Sequence, residues 1–148
     1  MNDLKDKTAI VSGGSDGIGL AIARKLSLKG AYVIICARNE DKLSIAIEKI
    51  RHEGGKCEAK VLDVSATEEY SQMITDVAKK HGLDILVNNA AHVGMGLIKD
   101  VNLDEFQKNF RTNVDAPYAG TKAAMVAMSE KGGSIINVSS VNGDRAMV

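Results

Sequence analysis

The sequence contains no tryptophan, a single proline and two cysteines, and aromatic residues make up only 3% of its 148 positions. It also has no excess of charge, because 19 basic and 19 acidic residues give a formal net charge of zero at pH 7. Such a chain is not expected to bind nucleic acid or an anionic membrane surface. No apolar run approaches the ~20 residues of a membrane-spanning helix, since the strongest covers only residues 31–37. A hydrophobic content of 45% then favours a globular domain.

The two cysteines, Cys36 and Cys57, are predicted at opposite ends of two parallel strands. At about 3.3 Å per residue they would lie roughly 15 Å apart, beyond the ~7 Å between Cα atoms that a disulfide allows. Two free thiols favour a reducing compartment, and the charged N-terminus MNDLKDKTAI lacks the apolar core of a secretion signal. We therefore expect a cytoplasmic protein. The histidines are scattered and neither cysteine has a ligand spacing, so no metal site is predicted.

Short apolar segments alternate with amphipathic ones along the chain. The apolar segments predict strands at residues 8–11, 32–36, 57–63, 85–87 and 134–138, and helical spacing predicts helices between them. A capping box over residues 65–68 and a cap over 102–105 are predicted to start the third and fourth helices. This alternation predicts an α/β fold with a doubly wound parallel sheet, the Rossmann fold, in strand order 3-2-1-4-5. No repeat or linker interrupts residues 1–148, which are predicted to form one dinucleotide-binding domain.

The last predicted strand ends on two hydroxyls, Ser139 and Ser140. Residues 134–140 have the pattern of a buried strand, and chemistry in α/β enzymes occurs just past the carboxyl end of such a strand. In the order 3-2-1-4-5, however, this strand lies at an edge. Its apolar side chains would then lack cover, and its edge could pair with another chain.

The first predicted strand runs directly into the glycine-rich segment SGGSDGIG, residues 12–19, which opens the first helix. Glycines here can make the tight turn, let a pyrophosphate approach the backbone and let helix and strand pack closely. The helix N-terminus then offers N–H groups to phosphate. The segment is not a P-loop, because no Gly-Lys-Ser/Thr follows. Its position predicts a dinucleotide site with the candidate residues Gly13, Ser15, Asp16, Gly17, Ile18 and Gly19.

The end of the second predicted strand carries Arg38 where a dinucleotide fold that binds NAD has an acid for the ribose hydroxyls. A guanidinium suits a 2′-phosphate, so Arg38 favours NADP over NAD. The alternative is that Arg38 is a solvated surface charge. Asp16 works against the NADP prediction, because it stands just before Gly17, where a basic residue would help to bind phosphate.

Further motifs follow in order along the chain. They are Leu62-Asp63-Val64, Asn88-Asn89-Ala90-Ala91, Asn113-Val114 and Ile136-Asn137-Val138-Ser139-Ser140. Together with the glycine-rich turn they resemble the classical short-chain dehydrogenase/reductase family over essentially the whole chain. The resemblance implies that Asp63 and Val64 contact the adenine and that Asn89, Ala90 and Ala91 line the cofactor. It also implies catalytic roles for Asn113 and Ser140, although Ser139 is chemically as plausible as Ser140.

The family resemblance implies an oxidoreductase that interconverts a carbonyl and an alcohol with NADP, or alternatively NAD, as cofactor. The partner is then a small alcohol or ketone, and the parent enzyme is a homo-oligomer. The family's general acid/base is a tyrosine with a lysine four residues later, expected on the helix after Ser140. We interpret Tyr32, Tyr70 and Tyr118 as unable to substitute for it, on the assumption that none of them has a lysine four residues later. The chain is thus expected to be the N-terminal part of a longer enzyme, truncated after the fifth strand and inactive alone.

Two alternatives remain open at this point. The chain could be a non-catalytic dinucleotide-binding or interaction protein, or a methyltransferase, although a methyltransferase would not explain Asn-Asn-Ala or Ser140. A last expectation concerns Pro117 in the long fourth helix. Proline has no N–H, so the carbonyl of Asn113 loses its helical donor and could hold a water of the catalytic relay. The simpler expectation is a bend in the helix.

Overall fold

In the computed structural model, which describes residues 3–94 and 96–141, five strands form one parallel sheet. The strands are β1 (Thr8–Ser12), β2 (Tyr32–Ala37), β3 (Lys56–Val61), β4 (Ile85–Asn88) and β5 (Ser134–Asn137). Their order in the sheet is β3-β2-β1-β4-β5, and every pair of neighbours is parallel. The predicted doubly wound fold and strand order are confirmed.

The helices cover both faces of this sheet. They are α1 (Gly17–Leu28), α2 (Glu40–His52), α3 (Thr67–His81), α4 (Leu103–Phe110) and α5 (Ala116–Ala127), with a π-helical turn (Arg111–Asp115) between the last two. Because side chains alternate along a strand, Ile10 and Leu86 pack toward α3 and α5. Their neighbours Val11 and Val87 pack on the opposite side, in a cluster that includes Leu43 of α2. The continuous apolar runs of the inner strands follow from burial on both faces.

β5 is the exception to this burial. The expectation of a buried strand over residues 134–140 is wrong, because Ile136 is 44% and Val138 is 39% exposed. Among the described residues β5 pairs with β4 alone, and it lies at the edge that the strand order predicts. Its apolar side chains Ile136 and Val138 are therefore part of the exposed surface of the described residues.

The two predicted helix caps differ in outcome. Asn102 caps α4 as expected, and its side-chain oxygen accepts a hydrogen bond from the Glu105 N–H at 2.9 Å. The capping box of residues 65–68 does not form, and Ala66 is the N-cap of α3 without a side-chain hydrogen bond. The N–H and hydroxyl of Ser65 instead donate to Asp63 Oδ1, at 2.9 and 2.8 Å. The carboxylate of Asp63 thus holds Ser65 in a local turn, and the Ser65 hydroxyl does not accept an N–H of α3.

The long helix predicted around Pro117 is interrupted. The π-helical turn precedes α5, and the Ala116 N–H donates to the Arg111 carbonyl five residues back. Pro117 follows in the first turn of α5, where a missing N–H costs little. The helix thus widens before the proline, which places the irregular turn at Asn113.

Both cysteines are free and buried. Cys36 lies opposite Lys60 in the sheet, and Cys57 lies opposite Val33, so the two thiols are offset along their strands as predicted. Burial raises the pKa of each thiol to about 12. Both are therefore protonated and unreactive near neutral pH. Within the described residues, no helix combines the length and apolar character needed to cross a membrane.

Gly120 of α5 provides a test of the packing between α5 and α3. An added methyl group there would lie 2.6 Å from Tyr70 Cε1 and 2.9 Å from Asn88 Oδ1. We expect Gly120→Ala to lower the free energy of unfolding by about 1–3 kcal/mol in urea denaturation, although alanine favours a helix. In a Tyr70→Leu background the same change should cost less, because the ring is gone and Asn88 Oδ1 is the close contact that remains. Equal or greater stability of Gly120→Ala in the native background would contradict this packing.

Candidate cofactor and active site

A groove of about 320 Å³ lies at the carboxyl ends of β1, β2 and β4. The sheet order reverses between β1 and β4, and parallel α/β sheets bind ligands at such a point. Seven of the predicted site residues line the groove, namely Gly13, Ser15, Arg38, Asp63, Val64, Ala90 and Ala91. Residues that sequence analysis did not assign to the site also line it, namely Cys36, Ala37, Asn39, Lys42, Leu62, His92 and Thr112.

The turn between β1 and α1 requires glycine at two positions for different reasons. Gly13 has a φ of +66°, and its N–H donates to the Cys36 carbonyl at 2.8 Å. A methyl group on Gly19 would lie 2.1 Å from the Gly13 carbonyl oxygen. The predicted tight turn and close helix–strand approach are both present. Gly17, with a φ of +50°, has open space where a methyl group would point, so this side of the turn is accessible to a ligand.

Asp16 is the N-cap of α1. Its Oδ1 accepts a hydrogen bond from the Gly17 N–H at 2.8 Å, and its Oδ2 lies 2.9 Å from Lys42 Nζ. The hydrogen bond from Lys42, followed by that from Gly17, lowers the pKa of this carboxyl. The acid within the glycine-rich turn is therefore charged and paired. Ile18 follows it with its side chain 65% exposed.

Ser12 joins β1 to the chain that leaves β4. Its buried hydroxyl oxygen accepts hydrogen bonds from the N–H groups of Asn89 and Ala90, at 3.0 and 3.1 Å. The Asn89 side chain donates in turn to the Ser12 carbonyl at 3.0 Å. The loop after β4 is thereby held against the glycine-rich turn between β1 and α1.

Asn88 is buried and has a structural place in the sheet. Its Oδ1 accepts from the Tyr70 hydroxyl at 2.7 Å, and its Nδ2 donates to Asn137 Oδ1 at 2.8 Å. These bonds link β4 to α3 and to β5. Asn88, and part of the contacts of Asn89, therefore tie the central strands together.

At the outer end of the groove, Arg38 Nη1 lies 3.8 Å from Asp63 Oδ2. Burial raises the pKa of Asp63, but the hydrogen bonds from Ser65 and the nearby Arg38 outweigh it, so that the pKa is lowered overall. Val64 beside it is buried. Arg38 is exposed and has one distant carboxylate partner, so its guanidinium can turn to another anion.

Asn113 is bonded to the backbone of the loop after β4. Its Oδ1 accepts from the His92 N–H at 2.8 Å, and its Nδ2 donates to the His92 carbonyl at 2.7 Å. The His92 ring also meets Glu105, with Nε2 and Oε1 2.6 Å apart. Sequence analysis missed His92 and Glu105, because nothing in the local pattern predicts a pair across this loop.

Ser140 follows β5 at the same edge of the sheet as the groove, although it is not among the groove-lining residues. The Val138 N–H donates to the Asn88 carbonyl at 2.9 Å, which extends the β4–β5 pairing toward the two serines. The structure thus brings Ser140 to the carboxyl edge of the sheet.

The interpretation that no tyrosine of the chain has a lysine at the family's spacing is wrong, because Lys122 lies four residues after Tyr118. The fold separates this pair from the groove. Ala116 and Gly120 are buried beneath α5, and Tyr118, midway between them, is 69% exposed on the other face. Tyr118 is not a groove-lining residue.

Comparison with known proteins agrees with this geometry. The family model for short chain dehydrogenase matches residues 7–148. The human protein "Dehydrogenase/reductase SDR family member 4" is 37% identical over 141 residues, which cover 93% of this chain and 51% of that protein. The chain belongs to the short-chain dehydrogenase/reductase family. It spans about half the length of the curated relatives it matches.

Solved structures of the family superimpose closely. A metagenomic short-chain oxidoreductase in complex with NADP has a TM-score of 0.91 and 38% identity, covering 98% of this chain and 67% of that one. An NAD⁺-bound xylitol dehydrogenase also has a TM-score of 0.91, with 27% identity, and covers 97% and 56%. The fold is thus found with either dinucleotide.

Ser12 provides a test of the joint between β1 and β4. Replacing it with alanine leaves the N–H groups of Asn89 and Ala90 without their buried acceptor. We expect Ser12→Ala to lower the free energy of unfolding by about 1–3 kcal/mol, measured by urea denaturation. Ser12→Thr is the matched control, because it keeps the hydroxyl. If alanine and threonine at this position gave equal stability, the hydroxyl would not be what holds the loop.

Proposed function

We propose that the chain is the nucleotide-binding part of an NAD(P)-dependent oxidoreductase that interconverts a carbonyl and an alcohol by hydride transfer. The observation that carries this proposal is the groove at the point where the strand order reverses. Beside it, α1 packs so closely on the glycine-rich turn that no side chain fits at Gly19. Such a turn in front of a helix N-terminus suits a pyrophosphate. When bound, a nicotinamide cofactor supplies or accepts the hydride.

We assign the cofactor-binding residues along the groove. Gly13, Ser15, Asp16, Gly17, Ile18 and Gly19 form the phosphate turn, Asp63 and Val64 border the adenine, and Asn89, Ala90 and Ala91 border the remainder of the cofactor. The support for these roles is that most of the residues line one groove and that hydrogen bonds through Ser12 hold the β4 loop beside the turn.

NADP is the proposed preference. Arg38 ends the second strand at the groove, its side chain is 72% exposed, and its partner Asp63 is 3.8 Å away. A loosely paired guanidinium at this place can bind a 2′-phosphate with two hydrogen bonds. The NADP complex of a relative that is 38% identical supports this preference.

Asn113 and Ser140 are the proposed catalytic residues of this chain. Ser140, at the carboxyl edge of the sheet, would hold the oxygen of the substrate. Asn113 fixes the loop after β4 through the His92 backbone, and its own carbonyl cannot accept a hydrogen bond from residue 117, which is proline. We further propose that the proton-transferring tyrosine and lysine are not within these 148 residues and that residues 1–148 alone do not turn over substrate.

The complete protein is proposed to be cytoplasmic and homo-oligomeric, with a small alcohol or ketone as its substrate. Two free, buried thiols support the first proposal. Exposed apolar side chains support further cover of β5 and α4 by additional chain or a second copy. Ile136 is 44% exposed, Phe106 is 47% and Phe110 is 49%. The second candidate is a non-catalytic binding protein. The outward direction of Tyr118 favours it, because this tyrosine does not line the groove.

The cofactor preference is tested at Arg38. In the full-length protein, Arg38→Asp should remove the 2′-phosphate contact and repel that phosphate, so that the ratio of the Kd values for NADH and NADPH falls about tenfold or more. Fluorescence titration with both cofactors measures this ratio. Lys25→Asp, on an exposed position of α1 away from the groove, is the control. An unchanged ratio would identify Arg38 as a surface charge.

The two serines after β5 are distinguished by single substitutions in the full-length protein. Ser140→Ala should lower kcat by at least about a hundredfold while the Kd for NADPH stays within twofold, because the hydroxyl acts on the substrate oxygen. Ser139→Ala, its matched neighbour, should keep most activity. Steady-state assays on a panel of ketones and alcohols provide the measurement. The opposite order of effects would move the catalytic role to Ser139.

A further inference from the structure

Asp16 places a carboxylate at the N-terminus of α1, where the phosphate turn would receive an anion. Two negative groups at one helix terminus repel each other, so an acid here is unfavourable for a site that binds a dinucleotide. Asp16 also takes up one of the N–H groups at this terminus, because its Oδ1 accepts a hydrogen bond from the Gly17 N–H at 2.8 Å. A cationic partner for this carboxylate would offset the repulsion.

That contact is Lys42, which reaches Asp16 from another element. Lys42 lies in the first turn of α2, and its own N–H is held by Asn39 Oδ1 at 2.8 Å. From there its Nζ lies 2.9 Å from Asp16 Oδ2. The ammonium group is therefore drawn across the mouth of the groove toward the α1 terminus, although the two residues are 26 positions apart in the chain.

The same lysine faces the groove. Lys42 lines it together with Ser15, Arg38 and Asn39, at the end where β2 passes into α2. An ammonium group has three N–H donors, and Asp16 accepts from one of them. The others are available to an anion beside the Arg38 guanidinium, because the Lys42 side chain is 57% exposed.

We propose that Lys42 is a second cation of the 2′-phosphate subsite and that Asp16 is the residue that positions it there. Arg38 offers a planar fork and Lys42 a point charge, two complementary ways to bind one phosphate. The Asp16–Lys42 pair is then a determinant of NADP over NAD. The proposal rests on the proposed binding of NADP(H), and it assigns to Asp16 a positive contribution that its charge alone would not predict.

A simple repulsion between Asp16 and the cofactor predicts the opposite sign. If Asp16 only repels phosphate, Asp16→Asn should improve NADPH binding more than NADH binding, because NADPH carries the extra phosphate. If Asp16 positions Lys42, the same change should reduce discrimination in favour of NADPH. Asparagine is the chosen replacement because it caps a helix as well as aspartate does, so α1 stays intact.

The experiment measures Kd values of the full-length protein for NADPH and NADH by fluorescence titration. Lys42→Met should weaken NADPH binding about tenfold and leave NADH binding within twofold. Lys79→Met is the matched control, since it removes the same charge from an exposed position on α3 that does not line the groove. Asp16→Asn should lower discrimination in the native background. In the Lys42→Met background, where nothing remains to be positioned, Asp16→Asn should instead strengthen NADPH binding.

The role of Lys42 would be overturned if Lys42→Met left the ratio of the Kd values for NADH and NADPH unchanged. It would also be overturned if Asp16→Asn alone raised that ratio. If the native protein still binds NADPH more tightly than NADH, neither of these results would contradict the cofactor preference or the role of Arg38. A native protein that binds NADH as tightly as NADPH would overturn the cofactor preference itself. The two failures are therefore distinguishable in one set of titrations.

Discussion

The buried hydroxyl of Ser12 is the contact on which the geometry of the groove depends. It lies at the end of β1, and its oxygen accepts the N–H groups of Asn89 and Ala90 from the end of β4. These strands flank the reversal in sheet order, so the hydroxyl joins the two halves of the fold where a ligand would enter. Loss of this acceptor would leave two N–H groups unsatisfied, so the hydroxyl stabilises the joint. It holds the loop after β4 beside the glycine-rich turn.

Paired charges surround this joint. Asp16 is paired with Lys42, Asp63 with Arg38, and Glu105 with His92. Each pair connects residues from different elements, and each places its cation or imidazole along the groove. Because Asp16 and Asp63 each have a cationic partner, the groove can admit an anionic ligand although the chain has no net charge. Local pairing, and not overall charge, determines what the site attracts.

The long helix after β4 shows how a backbone irregularity positions a side chain. A π-helical turn over Arg111–Asp115 precedes Pro117 and contains Asn113. Its side chain makes two hydrogen bonds to the His92 backbone. A regular helix would present this residue at a different angle, because a π turn shifts the face of each following side chain. Pro117 follows the turn and has no N–H, so it cannot donate the ordinary helical hydrogen bond to the Asn113 carbonyl.

The sequence by itself determined the parallel doubly wound sheet, the glycine turn and the cap of α4, because each depends on neighbouring residues and their periodicity. It did not determine the pairing of Lys42 with Asp16 or of His92 with Glu105, and it misplaced the hydroxyl of Ser65 and the burial of β5. Those features are decided by which elements lie side by side. Even the Tyr-x-x-x-Lys spacing at Tyr118 acquires its meaning only from the face of α5 it occupies. Local patterns specify an element, but only the packed structure specifies what that element's side chains meet.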